Sequence, residues 1–263
     1  MNRPGVEDGV ARLAALFAAA RRAVAFTGAG VSTESGIPDF RSPGGVWARF
    51  EPREFTYQNF VGSREGRRRY WALGRATYPV IRAAEPNAAH RALAELHRLG
   101  RLDCCITQNI DDLHQRAGLP PGAVIELHGN ATRARCLGCG AAYTRDALHA
   151  RLEQGVEVPD CERCGGVVKP HTILFGETMP PGAVEEARRR AAAADLMVVL
   201  GSSLVVYPAA YVPRYAKQAG ARLVIVNLEP TPLDREADLV LRAPAGAVMA
   251  AALDALRGSV TVT

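Results

Sequence analysis

Long apolar runs are missing from this chain: none approaches the ~18 uninterrupted residues that a bilayer span requires. The pattern of a signal peptide is missing too. Glu7 and Asp8 precede the first apolar segment, Arg12 interrupts it, and Arg21–Arg22 follow it. Ala11, Leu13, Ala14, Leu16, Phe17 and Ala20 fall instead on one face of an amphipathic helix. A cytoplasmic protein with no membrane partner is the expectation. Internal repeats and low-complexity tracts are absent, and a composition 48% hydrophobic and 22% charged excludes a disordered chain. Negative charge is in deficit, with a formal net charge of +5 and a pI near 9.0. The basic residues are nevertheless dispersed. The runs Arg67–Arg69 and Arg188–Arg190 sit in helix-like segments without the interleaved aromatics that stack on bases, so a nucleic-acid partner is not expected.

What is present is an alternation. A length of 263 residues suits one large domain, or one domain carrying a smaller insertion. "AVAFTGAG" (23–30), "LDCCIT" (102–107), "AVIEL" (123–127), "LMVVLG" (196–201), "RLVIVN" (222–227) and "DLVLRA" (238–243) are short, nearly continuous apolar runs, as expected of strands buried on both faces. Helical patterns lie between them, among them 86–99, 111–117, 182–194 and 208–219. This predicts an α/β fold with a doubly wound parallel, Rossmann-like sheet, whose ligands bind beyond the carboxyl ends of the strands. Two stretches break the pattern. Residues 36–60 are rich in Gly, Pro, Phe and Arg and read as a long ordered loop; residues 131–168 carry four cysteines and few large apolar residues. Both read as insertions projecting from the sheet, a smaller zinc-binding and helical part.

Cys136 and Cys139 enclose two residues, as do Cys161 and Cys164. Paired knuckles of this kind let four thiolates reach one tetrahedral Zn²⁺, and the interval between the pairs lies just above the usual window. Gly138, Gly140, Gly165 and Gly166 permit tight turns beside the sulfurs. Disulfides are the rival in an exported chain, and a redox CxxC would need no matching partner. Four protein ligands leave no open position, so the expected ion is structural. Cys104 and Cys105 sit in a strand-like run, where free cysteine behaves as a small buried hydrophobe.

In "FTGAGVSTESGIPDFR", Gly28 and Gly30 supply the first two positions of a dinucleotide fingerprint, but the sixth is Thr33 and no acid-tipped second strand follows about twenty residues later. Phe40 could cover a ring or plug a core, and Arg41 could pair with an anion or lie on the surface. "CITQNIDDLHQRAG" (105–118) is equally ambiguous: a strand that ends in Gln108, Asn109 and Asp111 fits either a capped helix start or the wall of a site.

The ordered strings "GAGVSTESGIPDFR", "TQNIDDLH", "ELHGN", the four-cysteine knot, "KPHTILFGE", "GSSLVVYP" and "VNLEPTPLD" resemble the sirtuin family of NAD-dependent protein deacylases from about residue 23 to residue 250. The resemblance is to prokaryotic members with little beyond the catalytic core. It implies a Rossmann-like NAD domain of residues 1–35, 84–130 and 178–263. Residues 36–83 would form a cofactor loop and helical module, and 131–177 a zinc-ribbon module with the substrate-binding strand. It implies NAD as co-substrate, one structural Zn²⁺, and acyl-lysine proteins or peptides as partners. Gly28, Ala29, Gly30, Thr33, Phe40 and Arg41 would line one side of the NAD pocket. Gln108 and Asn109 would meet the ribose beside nicotinamide, Asn109 would hold a water, and Ile110 and Asp111 would meet the carboxamide. Gly201, Ser202 and Ser203 would serve phosphate and ribose, Asn227 and Glu229 the adenosine ribose, and Ala245 the adenine end. His128 becomes the general base, with Gly129 leaving room beside it, while His114 stays structural. Ile173, Phe175, Gly176 and Glu177, in "TILFGE" (172–177), would bind the peptide as an added strand and wall an apolar acyl-lysine tunnel.

The implied reaction is attack of the acyl oxygen on C1′ of the nicotinamide ribose, departure of nicotinamide, and proton removal from a ribose hydroxyl by His128. The ribose oxygen then attacks the amidate carbon, water completes the release of free lysine and acyl-ADP-ribose, and no hydride moves. Mono-ADP-ribosyl transfer, a zinc-ribbon nucleic-acid module and a dehydrogenase are the alternatives. His171 stands where many relatives carry an acid, which touches peptide preference rather than chemistry. No Tyr-x-x-Arg pair, the mark of relatives that favour acidic acyl groups, occurs between residues 68 and 90. A neutral acyl group such as acetyl is therefore the expected substrate.

Overall fold

The structure is a computed structural model that describes residues 4–39, 45 and 50–260. Phe40 and Arg41 lie outside the described residues. α1 (Pro4–Ala19) leads into β1 (Ala23–Thr27), and α2 (Tyr57–Gly62), α3 (Arg64–Ala83) and α4 (Ala88–Arg98) precede β2 (Cys104–Thr107). α5 (Leu113–Arg116) and β3 (Val124–Glu126) follow, then β4 (Arg133–Cys136), β5 (Ala142–Thr144), α6 (Arg145–Glu153) and β6 (Val168–Pro170). The chain ends with α7 (Pro181–Ala192), β7 (Leu196–Leu200), α8 (Val212–Gln218), β8 (Arg222–Val226), β9 (Leu239–Leu241) and α9 (Ala245–Val260).

Six strands form one parallel sheet in the order β3-β2-β1-β7-β8-β9. The period of two explains why the central runs are apolar throughout. Ala23 and Ala25 of β1, Val198 of β7 and Val224 of β8 face a layer that also holds Leu13, Leu93 and Met249, from α1, α4 and α9. Val24, Phe26, Val199 and Ile225 face the opposite layer with Ala187 of α7 and Ala216 of α8. The strand order reverses between β1 and β7, which is where a doubly wound sheet opens a crevice for ligands.

Local chemistry sets several boundaries. The start of α4 is capped by Asn87, whose side chain accepts from Ala89 N at 3.0 Å, while His90 Nδ1 accepts from Asn87 N at 3.3 Å. The loop read over 36–60 ends earlier than its composition suggests, because Thr56 accepts from Asn59 N at 3.2 Å and caps α2. "AVIEL" yields only three strand residues, since Pro121–Ala123 form a 3₁₀ turn.

The cysteine-bearing insertion contains a second, antiparallel sheet, β5-β4-β6. Its core gathers Ala134, Cys136, Leu148, Leu152, Cys161 and Val168 around Trp71 of α3. The helical residues after 63 and the cysteine module therefore share one core. Trp71 is fully buried, and its truncation to Ala would cost about 3–5 kcal/mol. Arg145 lies over the rings of Trp71 and Tyr78, 4.8 Å from each centroid.

Candidate active site

The turn after β1 is pressed against the turn after β7. Gly28 N donates to Leu200 O at 3.0 Å and Gly30 N to Gly201 O at 2.9 Å. A Cβ on Gly30 would stand 2.9 Å from Gly201 Cα, and one on Gly201, at φ 57°, would stand 2.3 Å from Val31 N. The glycines are required first by this contact between two backbones. Ala29 is partly exposed beside it, and Thr33 Oγ1 donates to Gly30 O at 3.0 Å.

Across the crevice, the stretch after β2 proves to be more than a helix start. α5 begins only at Leu113, and its N-cap position is Asp112 in the left-handed region at φ 67°, without a capping bond from its own side chain. Asp111, buried, accepts from Leu113 N at 3.0 Å and from Ser32 Oγ at 2.7 Å. Asn109 Nδ2 donates to Ser32 Oγ at 3.0 Å and to Gly28 O at 3.1 Å. Gln108 Nε2 donates to Ser202 Oγ at 2.9 Å. Ile110 O accepts from Ala131 N at 2.8 Å, which fixes that turn. Gln108, Asn109, Asp111 and Ser202 thus come together at the carboxyl ends of β1, β2 and β7. Ser32 holds the group together and escaped the sequence reading, although it lies inside "GAGVST".

Beneath this loop is a buried polar layer that the sequence did not disclose. Thr27 Oγ1 donates to Thr107 Oγ1 at 2.8 Å and lies 2.9 Å from His114 Nε2; Thr107 Oγ1 accepts from Asn109 N at 3.0 Å. The rings of His90 and His114 are 4.9 Å apart. Burial lowers the pKa of His114 to about 4. Burial first, and then the neighbouring His114, lower that of His90 to about 3. Both rings are neutral at pH 7.

His128 lies two residues beyond β3, half-buried. Its Nδ1 is 3.0 Å from the main-chain oxygen of Gln108. That oxygen can only accept, so Nδ1 carries the proton and Nε2 is left as the basic nitrogen. Burial pulls the imidazole below its ordinary value, and the bond to Gln108 opposes this. Gly129, at φ 73°, makes room for the chain itself: a Cβ there would be 1.8 Å from His171 O.

The segment 172–177 is an irregular staple rather than a strand. Ile173 N donates to His128 O, Tyr57 N donates to Phe175 O, each at 2.9 Å, and Thr56 bridges Phe175 in parallel. The Phe175 ring is 46% exposed. A Cβ on Gly176, at φ 74°, would meet Gln58 at 2.9 Å. Glu177 accepts from Leu174 N at 2.9 Å and pairs with the buried Lys169 at 2.9 Å, so its carboxylate shapes the segment from inside.

The outer residues are more dispersed. Ser203 is partly exposed after β7, Asn227 Nδ2 donates to Glu229 O at 2.7 Å, and Glu229 is exposed after β8. Ala245 is buried in the core at the start of α9, where Glu34 accepts from Gly246 N at 2.8 Å. The helix end is thus occupied by a carboxylate of this chain.

Sγ atoms of Cys136, Cys139, Cys161 and Cys164 all lie within 4.8 Å of one another. Gly138 N and Cys139 N donate to Cys136 Sγ at 3.3 and 3.4 Å, and Tyr143 Oη donates to Cys161 Sγ at 3.1 Å. Four convergent thiols with N–H and O–H donors aimed at sulfur fit a tetrahedral Zn²⁺, and these four are positioned to hold one. Cys104 and Cys105 are buried strand residues, and burial pushes the Cys104 thiol up to about 12.

Residues 28–208 match the family model described as the Sir2 family. The chain is 50% identical over 237 residues to "NAD-dependent protein deacetylase 1" of Bradyrhizobium diazoefficiens, covering 90% of this chain and 92% of the relative. It is 44% identical over 251 residues to "NAD-dependent protein deacetylase" of Caldivirga maquilingensis, covering 95% of each. A solved Sir2 with a p53 peptide and NAD⁺ superposes with a TM-score of 0.85 at 38% identity, covering 95% of this chain and 98% of that one. No helix among the described residues is long and apolar enough to cross a membrane.

Proposed function

The chain belongs to the Sir2 family, and on that premise we propose that it removes acyl groups from protein lysines with NAD as co-substrate. The observation that carries this reading is the convergence at one sheet edge of Ser32, Asn109, Asp111 and a half-buried His128 whose proton is fixed on Nδ1. NAD supplies the ADP-ribose to which the acyl group passes once nicotinamide has left.

In this reading Asp111, braced by Ser32, accepts from the nicotinamide carboxamide, with Ile110 beside it. Asn109 and Gln108 face the adjoining ribose. His128 Nε2 takes the proton of a ribose hydroxyl; an imidazole pulled below its ordinary value is unprotonated and ready at neutral pH. Gly28, Ala29, Gly30, Thr33, Phe40 and Arg41 bind one side of the dinucleotide, and Gly201, Ser202, Ser203, Asn227, Glu229 and Ala245 the other. Ile173 and Phe175 wall the acyl-lysine tunnel and keep water from it, while Gly176 and Glu177 shape the peptide wall. Orientation of two bound substrates at such a site can supply about 7–11 kcal/mol of the barrier. Residues 1–35, 84–130 and 178–263 form the NAD-binding part, 36–83 the cofactor loop and helical module, and 131–177 the zinc module with the peptide wall.

The test is nicotinamide release measured with NAD alone, with NAD and an acetyl-lysine peptide, and with NAD and the same peptide unmodified. Release that requires the acetylated peptide is expected. Equal release in all three mixtures contradicts the reading.

A further inference from the structure

The face of the small sheet turned away from the cysteine core is basic. β4 sends Ala134 and Cys136 into that core and leaves Arg133 and Arg135 exposed on the other side. Lys169 of β6 stands directly across from Arg135, and His171 N donates to Arg133 O at 2.9 Å, so the same alternation sets His171 beside Arg133. Like charges directly opposite weaken a sheet, so this arrangement runs against the stability of the module. The nearby carboxylates are already engaged. Glu126 pairs with Arg133 at 2.6 Å, Glu177 with Lys169 at 2.9 Å, and Glu186 with Arg189 and Arg190 at 2.5 and 2.8 Å. Arg135 has no carboxylate partner among the described residues.

These groups line a cleft of about 560 Å³ between the small sheet and the free edge of the large one. Val124, Ile125 and the first turn of α7 form its opposite wall. The cleft also reaches Gly129 and Ile173, the neighbour of His128 and a residue of the candidate peptide wall. It includes none of residues 28–33, 108–111 or 201–203, so it is separate from the NAD crevice.

We propose that this cleft docks an acidic stretch of the protein substrate beside the acyl-lysine, with Arg135 as the residue that selects the acid. The proposal rests on the deacylase reading of the adjoining site. An exposed, unpaired guanidinium offers a carboxylate two parallel N–H bonds. His171 adds a hydrogen bond rather than a charge, because burial and then Arg133, Arg135 and Lys169 hold its pKa below the ordinary value. The mixed lining, with aliphatic side chains opposite one spare cation, suits a peptide better than a polyphosphate chain, which would need several.

Two fluorescein-labelled acetyl-lysine peptides distinguish the outcomes, one with Asp and Glu flanking the lysine and one with Ala in their place. Anisotropy should show the acidic peptide binding about tenfold tighter at low ionic strength, with the advantage shrinking as salt rises. kcat/KM with NAD should follow through KM, with kcat unchanged. Arg135→Glu should abolish or reverse the preference, and Arg135→Lys should keep part of it. Equal affinities, a preference that survives Arg135→Glu, or a single-stranded oligonucleotide that outcompetes the acidic peptide in an Arg135-dependent way would each overturn the proposal. Absence of turnover on both peptides counts against the deacylase reading alone, and the anisotropy comparison still decides the docking site.

Discussion

The Nδ1 atom of His128 lies 3.0 Å from the main-chain oxygen of Gln108, so one residue of the loop after β2 sets the tautomer of the candidate base. Replacing His128 by Ala should lower kcat by about 10²–10⁴-fold, the usual worth of a positioned general base, with NAD affinity and thermal stability little changed. Because burial holds the imidazole below 6.5, the acid limb of the kcat/KM profile should lie below pH 6.5 and the rate should be flat above it. A folded His128→Ala enzyme with near-normal turnover would remove the base from the account.

Acid should unfold the protein through a different histidine. His114 is held at about 4 when folded against an ordinary 6.5, so the unfolded chain binds more protons between these values. Stability is therefore complete above pH 6.5 and is lost as the pH falls towards 4, by about 3 kcal/mol for this residue alone. Urea titrations at pH 7 and pH 4.5 measure the loss. His114→Gln should reduce the dependence, with buried His90, lowered to about 3, carrying the remainder, and an unchanged slope would show that His114 does not contribute.

Zinc should be bound once per chain, and its removal should be felt at Trp71, which shares a core with Cys136 and Cys161. Chelation, or Cys136→Ser, should unfold the small module and shift Trp fluorescence towards the solvent-exposed position, because metal binding and folding are one equilibrium at such a site. The double variant Cys104→Ala, Cys105→Ala should leave zinc content unchanged. Metal content below half an equivalent in freshly purified protein would contradict this.

Acyl specificity follows from where the arginines of α3 go. Arg75 pairs with Glu153 at 3.0 Å and Arg82 with Asp146 at 3.5 Å, both on the exposed side towards α6. Tyr70 Oη is spent on Thr172 Oγ1 at 2.8 Å. None of the three is set to receive a buried carboxylate, which would be costly without a cationic partner. kcat/KM on matched peptides should be at least about tenfold higher for acetyl-lysine than for succinyl-lysine. A preference for succinyl would place an arginine in the tunnel.

The large sheet was legible because strands buried on both faces need apolar residues at nearly every position, as in "AVAFT" and "LMVVL". The four cysteines were legible because knuckle spacing is local. The small sheet was not: β4, β5 and β6 are only three or four residues long, β4 and β5 carry exposed residues, and β6 pairs with β4 from more than thirty residues further along the chain. The role of Asn109 was ambiguous for a related reason. Its side chain bonds Gly28 O and Ser32 Oγ, 81 and 77 residues away, so no window around it could separate a helix cap from a site wall. Glu177 read as a peptide contact, yet its carboxylate is taken up by Lys169, a pairing that only the fold of 168–177 creates. Nor could the sequence tell that Gly129 yields to the carbonyl of His171.

Acyl transfer to ADP-ribose is decided by mass spectrometry of a single incubation. Acetyl-lysine peptide and NAD should give nicotinamide, free-lysine peptide and acetyl-ADP-ribose in equal amounts; in His128→Ala the free-lysine peptide and acetyl-ADP-ribose should be lost, and nicotinamide should not exceed about one equivalent of enzyme, because it departs before His128 acts. Formation of NADH, or of a peptide carrying ADP-ribose in place of deacetylated peptide, would contradict the account.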